Sequence, residues 1–450
     1  MWRRTAVLVA IALAAGGVTA GASTAGGLRW GECADESLRA AGADCTTVVV
    51  PLDHLQPDGR VVRLAVSRLK ADPAKRRGVL LTNPGGPGGP GTTYPLELKP
   101  LLGEVAQQYD VIGIDPRFMG ASDPVACGPL RLPDVFRSSL TRADFEKSRK
   151  LAEKTAAGCR DDRLPYASIR NVARDMDTIR AALGEQKISY YGVSWGADLG
   201  VVYSQLFPGR VDRMVVDSVT DVEGSEYHHL ATGERAEAAF DEWAAWVAWR
   251  DDQYHLGRTG MEVRATVSRL ARRPVTIDGR RLDSASLPWA IQSALGDEKD
   301  REVMARNIRA LIDGKSTEEL SGWLQQYFTT EPIYSRFAAA SIAFTCNDNG
   351  WPKGPAPYWR DVQRTRQTEP LFHATFLACA FWKYHTSEPE LVIGNDVPML
   401  IVQAERDNIP LGWAQALQAK LPNSTLKTVD RRAHGVYEFM STTVNDYLAR

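Results

Sequence analysis

The chain is poor in the features that would place it in several large functional classes. It has a formal net charge of -1, so it carries no polycationic footprint for nucleic acid or an anionic membrane surface. No internal repeat or low-complexity tract points to a solenoid or a disordered linker. There is no C-x-x-C and no cysteine–histidine cluster, so no metal site is expected. The glycine-rich stretch Asn83–Gly91 lacks the G-K-[ST] of a phosphate cradle, and Pro87 and Pro90 remove amide donors from it, which argues against nucleotide binding. The only strongly apolar run at the start, Ala6–Ala15, is too short to span a bilayer. Histidine is scarce as well. There are seven, which sharpens the search for a catalytic base.

What is present reads as an exported globular protein. Arg3 and Arg4 precede the apolar run, and small residues follow with A-x-A-like cleavage options ending at Ala20, Ala22 or Ala25. Residues 1–25 are therefore expected to be a signal peptide and the mature protein to be secreted, with no stable membrane anchor. No cysteine stands near the cleavage region, which argues against a lipoprotein. The six cysteines, an even number in an exported chain, are expected to be disulfides. Of the fifteen possible connectivities, neighbours in sequence are favoured because each pair closes a local loop: Cys33–Cys45, Cys127–Cys159 and Cys346–Cys379. The sequence sets no oligomeric state.

Apolar runs alternate with helical periodicity. Thr46–Leu52 and Val61–Leu69 read as a hairpin. Gly78–Thr82, Tyr109–Asp115, Lys187–Val193 and Arg213–Ser218 read as further strands, and Ala167–Leu183 as an amphipathic helix. The alternation predicts an α/β fold with a mostly parallel central sheet. From about Glu223 to about Glu390 the chain turns helical and rich in Ala, Arg and Trp. The α/β rhythm returns with Val397–Gln403, a helix near Leu411–Leu421, and Thr425–Val429. The expected organisation is one α/β core over 26–222 and 391–450, interrupted by a helical cap over 223–390. An independent accessory domain is the plainer alternative. The cap is preferred because the sheet is incomplete without the segment that follows it.

Gly192-Val193-Ser194-Trp195-Gly196 is a G-x-S-x-G sequence between a β-prone run and a helical one. A strand, a sharp turn and a helix would hold the Ser194 hydroxyl on a strained, exposed tip. A serine is a weak nucleophile and needs a base oriented by an acid. In α/β hydrolases these follow in the order Ser, Asp or Glu, His. Val397–Gln403 runs into a loop with Glu405 and Asp407, and Asp407, deeper in the loop and just before Pro410, is the preferred acid. His54 lies in the opening segment and five other histidines lie in the insertion. His434 alone follows a late core strand, and it is the expected base. Oxyanion donors are expected from the backbone of Trp195 and from the 83–91 loop, with Gly86 the choice there.

The Asn83-Pro84-Gly85-Gly86-Pro87-Gly88 loop, Tyr109–Ser122, Ala173-Arg174-Asp175, Tyr191–Gly196 and Cys346-Asn347-Asp348 together resemble the secreted bacterial tripeptidyl aminopeptidases, α/β hydrolases related to prolyl aminopeptidases. The likeness covers most of the chain and is weaker in the cap. It implies release of short N-terminal peptides through a serine acyl-enzyme, with no cofactor. Position by position it puts the nucleophile on Ser194, the acid on Asp407, the base on His434 and the glycine loop on Gly85 and Gly86. Two departures bear on substrate preference: Phe118-Met119 after Asp115-Pro116-Arg117, and Asp198 where an uncharged residue is usual. The partner implied is a peptide with a free N-terminus, whose ammonium calls for a carboxylate. Asp221, Glu223 and Glu226 at the cap entrance and Asp348 beside Cys346 are the candidates. An esterase or amidase with the same triad, and a non-catalytic binding protein on the same scaffold, are the competing readings.

Overall fold

The computed structural model describes residues 28–450 except 136, 139–140, 224–232, 329–330, 349, 386–387 and 390. The expected signal peptide, Glu226, His228 and His229 lie outside the described residues.

Among the described residues nine strands form the main sheet: β1 (Gly31–Glu32), β2 (Asp44–Pro51), β3 (Val61–Leu69), β4 (Gly78–Asn83), β5 (Tyr109–Ile114), β6 (Ile188–Val193), β7 (Val211–Asp217), β8 (Met399–Ala404) and β9 (Ser424–Val429). Their spatial order is β1-β2-β3-β5-β4-β6-β7-β8-β9. The pairings β1–β2, β2–β3 and β3–β5 are antiparallel. The five from β5 onward are parallel. Composition explains the placement. In β4, β5 and β8 all six residues are buried, as continuous apolar runs covered on both faces must be. The edge strand β9, STLKTV, has no fully buried residue.

Helices cover both faces. The helix Ile169–Ala182 starts at Ser168, whose side chain accepts from the Asn171 amide, and buries Val172, Met176 and Ile179 against the sheet side. The helix Trp195–Leu206 is buried along its first ten residues, so it is apolar almost all round. The C-terminal helix Tyr437–Ala449 packs the opposite face through Tyr437, Val444 and Leu448.

The long segment between β7 and β8 divides by its packing. Residues 236–328 build a hydrophobic core of their own, centred on Phe240, Trp243, Val263, Ile291 and Ile308, which Leu371 and Phe372 join. The helix Pro332–Asp348 and the stretch through Trp382 instead enter the main core, through Ala338, Phe344, Trp351, Tyr358 and Phe376. The helical stretch also holds a small hairpin, Val275–Ile277 with Arg280–Leu282. Its Asp278-Gly279 turn has positive φ at both residues, 51° and 73°, the geometry that the right-handed twist of a two-residue hairpin favours.

The three disulfides join Cys33 to Cys45, Cys127 to Cys159 and Cys346 to Cys379, the neighbouring pairs expected from the sequence. Among the described residues no cysteine is free and no helix is long and apolar enough to cross a membrane.

Candidate active site

Ser194 sits between β6 and the helix Trp195–Leu206 with φ 58° and ψ −128°, a conformation that an L-residue occupies only under constraint. The constraint is visible in its neighbours. A Cβ on Gly192 would lie 2.3 Å from the Gly196 carbonyl oxygen. One on Gly196 would lie 2.5 Å from the carbonyl oxygen of Asn83, and one on Gly200 2.7 Å from the Tyr190 ring. The Ser194 amide donates to the Asp217 carbonyl at 2.8 Å, and Tyr190 Oη donates to the Gly196 carbonyl at 2.7 Å. The elbow is thus held from behind by β4 and β7.

The 83–91 loop lies on the elbow. A Cβ on Gly85 would stand 2.5 Å from the Val193 carbonyl oxygen and 3.0 Å from Ser194 Cβ. The Gly85 amide donates to Asn83 Oδ1 at 2.8 Å, which turns it inward. Gly86 has φ 124°, and its amide has no protein acceptor among the described residues. The helix Pro332–Asp348 backs the loop. Ser341 Oγ donates to the Pro87 carbonyl, Gly88 closes against the Phe337 carbonyl, and Phe344 meets the Trp195 ring edge-on with centroids 5.6 Å apart. Ser341 and Phe344 lie in a helix whose sequence gives no sign of this contact, and sequence reasoning missed them.

β8 leads into the loop that carries Asp407, which is 1% exposed. Its Oδ1 is 2.9 Å from His434 Nδ1 and 3.1 Å from the Ile409 amide, and its Oδ2 accepts from Gln403 Nε2 at 2.9 Å. Glu405, the other acid near the strand end, is exposed and accepts from Thr428 Oγ1 at 3.0 Å. With Nδ1 facing a carboxylate, the imidazole carries its proton there and leaves Nε2 able to accept one. The His434 side chain is 34% exposed, so the site opens to solvent. Burial opposes a charge on the imidazole. Asp407 beside it, their hydrogen bond, and then Asp217 and Asp198 outweigh that and hold its pKa above the ordinary value.

Two buried acids flank the imidazole. Asp217, at the end of β7, is pushed up to about 6 by burial, against its hydrogen bonds from Val436 and Tyr191. Asp198 is pushed up to about 7, again mainly by burial. Asp198 accepts from the Thr220 amide at 2.9 Å and from Thr220 Oγ1 at 2.8 Å, so this departure from the usual pattern ties the elbow helix to the chain as it leaves β7. The other departure points inward. Phe118 and Met119 are 0% and 1% exposed and belong to the main core, so they do not face a pocket.

The acids considered for a substrate amine are placed as follows. Asp348 accepts from the Ile169 amide at 3.0 and 3.1 Å, at the start of a helix. Glu223 pairs with Lys420 and accepts from the Ile393 amide. Asp221 lies close enough to Asp198 to raise its pKa. Asp221 thus lies near Asp198, while Glu223 and Asp348 make their contacts at Lys420, Ile393 and Ile169.

Residues between β7 and β8 contact both late loops. Arg235 donates to the Asp407 carbonyl at 2.6 Å. Glu242 takes a paired contact from Arg432 at 2.6 and 3.0 Å, and Glu298 pairs with Arg431 at 3.0 Å.

A family model for the alpha/beta hydrolase fold matches residues 78–439. The chain is 33% identical over 466 residues to a tripeptidyl aminopeptidase of Streptomyces lividans, covering 95% of this chain and 85% of that protein. It is 26% identical to the serine protease Hip1 of Mycobacterium tuberculosis, over 90% of this chain and 84% of that one. It is 28% identical to carboxylesterase B of the same organism, over 78% and 73%. With the nine-stranded, mostly parallel sheet already in view, these likenesses place the chain in the tripeptidyl aminopeptidase family of α/β hydrolases, as a serine hydrolase.

Proposed function

We propose that this protein is a secreted serine exopeptidase that releases tripeptides from the free N-terminus of larger peptides. The observation that carries the reading is the Asp407–His434 pair next to a strained Ser194 elbow: a Cβ on Gly435 would lie 3.3 Å from Val193, and Asp217 binds the amides of both Ser194 and Val436. In the proposed reaction Ser194 Oγ attacks the scissile carbonyl carbon as His434 Nε2 takes the hydroxyl proton. The oxyanion is held by the amides of Trp195 and Gly86. The C–N bond breaks, the leaving amine takes the proton from His434, and water then hydrolyses the acyl-enzyme by the same proton route. No cofactor enters.

The insertion over 223–390 is proposed as a cap that closes one end of the cleft. Its contacts support this, because it touches the acid loop, the base loop and the 83–91 loop. A closed end limits how much peptide fits on the N-terminal side of the scissile bond. Asp221 is the acid proposed for the ammonium. Export by a signal peptide over 1–25 is supported by the three disulfides, which persist in oxidising compartments.

The likeness to carboxylesterase B keeps a second reading, an esterase or amidase with the same triad. Steady-state kinetics on matched peptides with free and acetylated N-termini separates the two. Acetylation removes the charge that an acid in a closed pocket would pair. A large fall in kcat/KM supports the aminopeptidase. An unchanged value hands the assignment to the esterase or amidase.

A further inference from the structure

Asp217 is a buried acid for which the proposed reaction has no step. It is 0% exposed at the end of β7, and its atoms reach both halves of the site. Its backbone carbonyl accepts from the amide of Ser194 at 2.8 Å. Its Oδ2 accepts from the amide of Val436, two residues past His434, at 2.8 Å, and from Tyr191 Oη on β6 at 2.8 Å. The next residue continues the link. Ser218 has φ 56°, its Oγ donates to Asp217 Oδ1 at 3.2 Å and accepts from the Gly435 amide at 2.9 Å, and its own amide donates to Val402 on β8. Two consecutive residues thus hold the nucleophile's amide and the two amides that follow the imidazole. The seat is rigid: Tyr191 packs against Tyr437 with centroids 4.8 Å apart and stacks on Tyr94 at 6.5 Å.

We propose that Asp217 is a positioning residue that, with Ser218, registers the His434 loop against the Ser194 elbow and sets a second negative charge near the imidazole, behind that of Asp407. The proposal rests on His434 being the base. Around Asp217 the titratable groups are Tyr191 on β6, Tyr94 and Tyr437 from the flanking helices, and Asp407 and His434 from the two loops. Around His434 they are Asp407, Asp217 and Asp198. Three donors, the Val436 amide, Tyr191 Oη and Ser218 Oγ, meet the Asp217 carboxylate and favour its charged form against burial, and that charge acts on the imidazole in the direction that favours its protonation. Asp407 remains the nearer partner, because it bonds the ring directly.

The test is the pH profile of kcat/KM for the wild type, Asp217→Asn, Ser218→Ala and Tyr191→Phe, with active enzyme counted by a serine-directed phosphonate. Asparagine keeps an oxygen for the Val436 amide and removes the charge. It is expected to lower kcat about tenfold with little change in KM, and to move the acid limb down by roughly half a pH unit or more. Ser218→Ala is expected to lower kcat and leave the limb in place, since no charge is lost. Tyr191→Phe removes a donor to the carboxylate, so Asp217 holds its proton more tightly. The limb is expected to move the same way by less, which keeps the idea testable if Asp217→Asn does not fold. A limb that stays put in both Asp217→Asn and Tyr191→Phe overturns the proposal while leaving the base assignment standing. A wild-type profile with no limb that His434→Ala abolishes overturns that assignment and this proposal with it.

Discussion

At the scale of single residues, the proposed triad turns on which groups face which. Ser194→Ala is expected to keep the fold and to lower turnover by several orders of magnitude, as loss of a triad member does. Circular dichroism and kinetics on the purified variant check this, and near-native turnover would exclude Ser194. Asp407→Asn is expected to cripple turnover far more than Glu405→Gln, because Asp407 meets the imidazole and Glu405 faces solvent. The reverse ranking would make Glu405 the acid. The sign of the pH dependence follows from the shift on His434. Its folded pKa lies above the ordinary value, and the base works only when neutral. Activity is therefore expected to fall as pH drops through a point above 6.5. Asp198 runs the other way as a stability term. A carboxyl raised from 3.8 to about 7 favours the fold fully below pH 4, and that contribution is lost as pH rises through 7. Asp198→Asn is expected to raise the melting temperature most at pH 8, by less at pH 5, and to leave it nearly unchanged only below pH 4. Strand-end position and chain order are what single out Ser194, Asp407 and His434 in the sequence, and the structure sets Asp407 against His434 at 2.9 Å. Asp217 has no such signal, because an acid closing an apolar strand looks the same whether it faces water or a neighbouring loop.

At the scale of elements, β4, β5, β6 and β8 were readable from their apolar runs alone, since strands covered on both faces allow little else. The helix Arg142–Gly158 carries a much weaker signal. Its buried face is Phe145, Ser148, Ala152, Thr155 and Ala156, small or polar for the most part, so little hydrophobic periodicity survives. The hairpin at 275–282 was hidden inside a stretch read as helical, although Asp278-Gly279 is a strong turn signal. The helix Pro332–Asp348 matters most for chemistry, because it backs the 83–91 loop and the Trp195 ring together. Ser341→Ala is expected to cost about tenfold or more in kcat with KM little changed. A peptide boronate, which forms the tetrahedral adduct, is expected to bind the variant more weakly, while a ground-state peptide product binds as before. Equal loss for both ligands would show that Ser341 shapes general binding instead. Removing the Cys346–Cys379 bridge at the end of this helix is expected to lower stability by about 2–4 kcal/mol. Denaturant unfolding of the double Cys→Ser variant reads that loss.

At the scale of the whole molecule, the sequence changes rhythm after β7 and recovers it at β8, and a largely helical segment, the proposed cap, lies between. The division of that segment was not visible. Amphipathic helices look alike whether they bury their faces against one another or against a neighbouring sheet, and only the packing separates the lobe at 236–328 from the stretch that joins the main core. The smaller lobe holds the acid loop through Arg235 and the base loop through Glu242 and Glu298. A lobe with its own small core buries a lower fraction of its surface and is expected to open first on heating. Heat inactivation is then expected to precede global unfolding. Calorimetry is expected to show two transitions, with activity disappearing at the first. A sample warmed past that point and cooled is expected to recover its turnover, because the sheet that must receive the lobe has kept its shape.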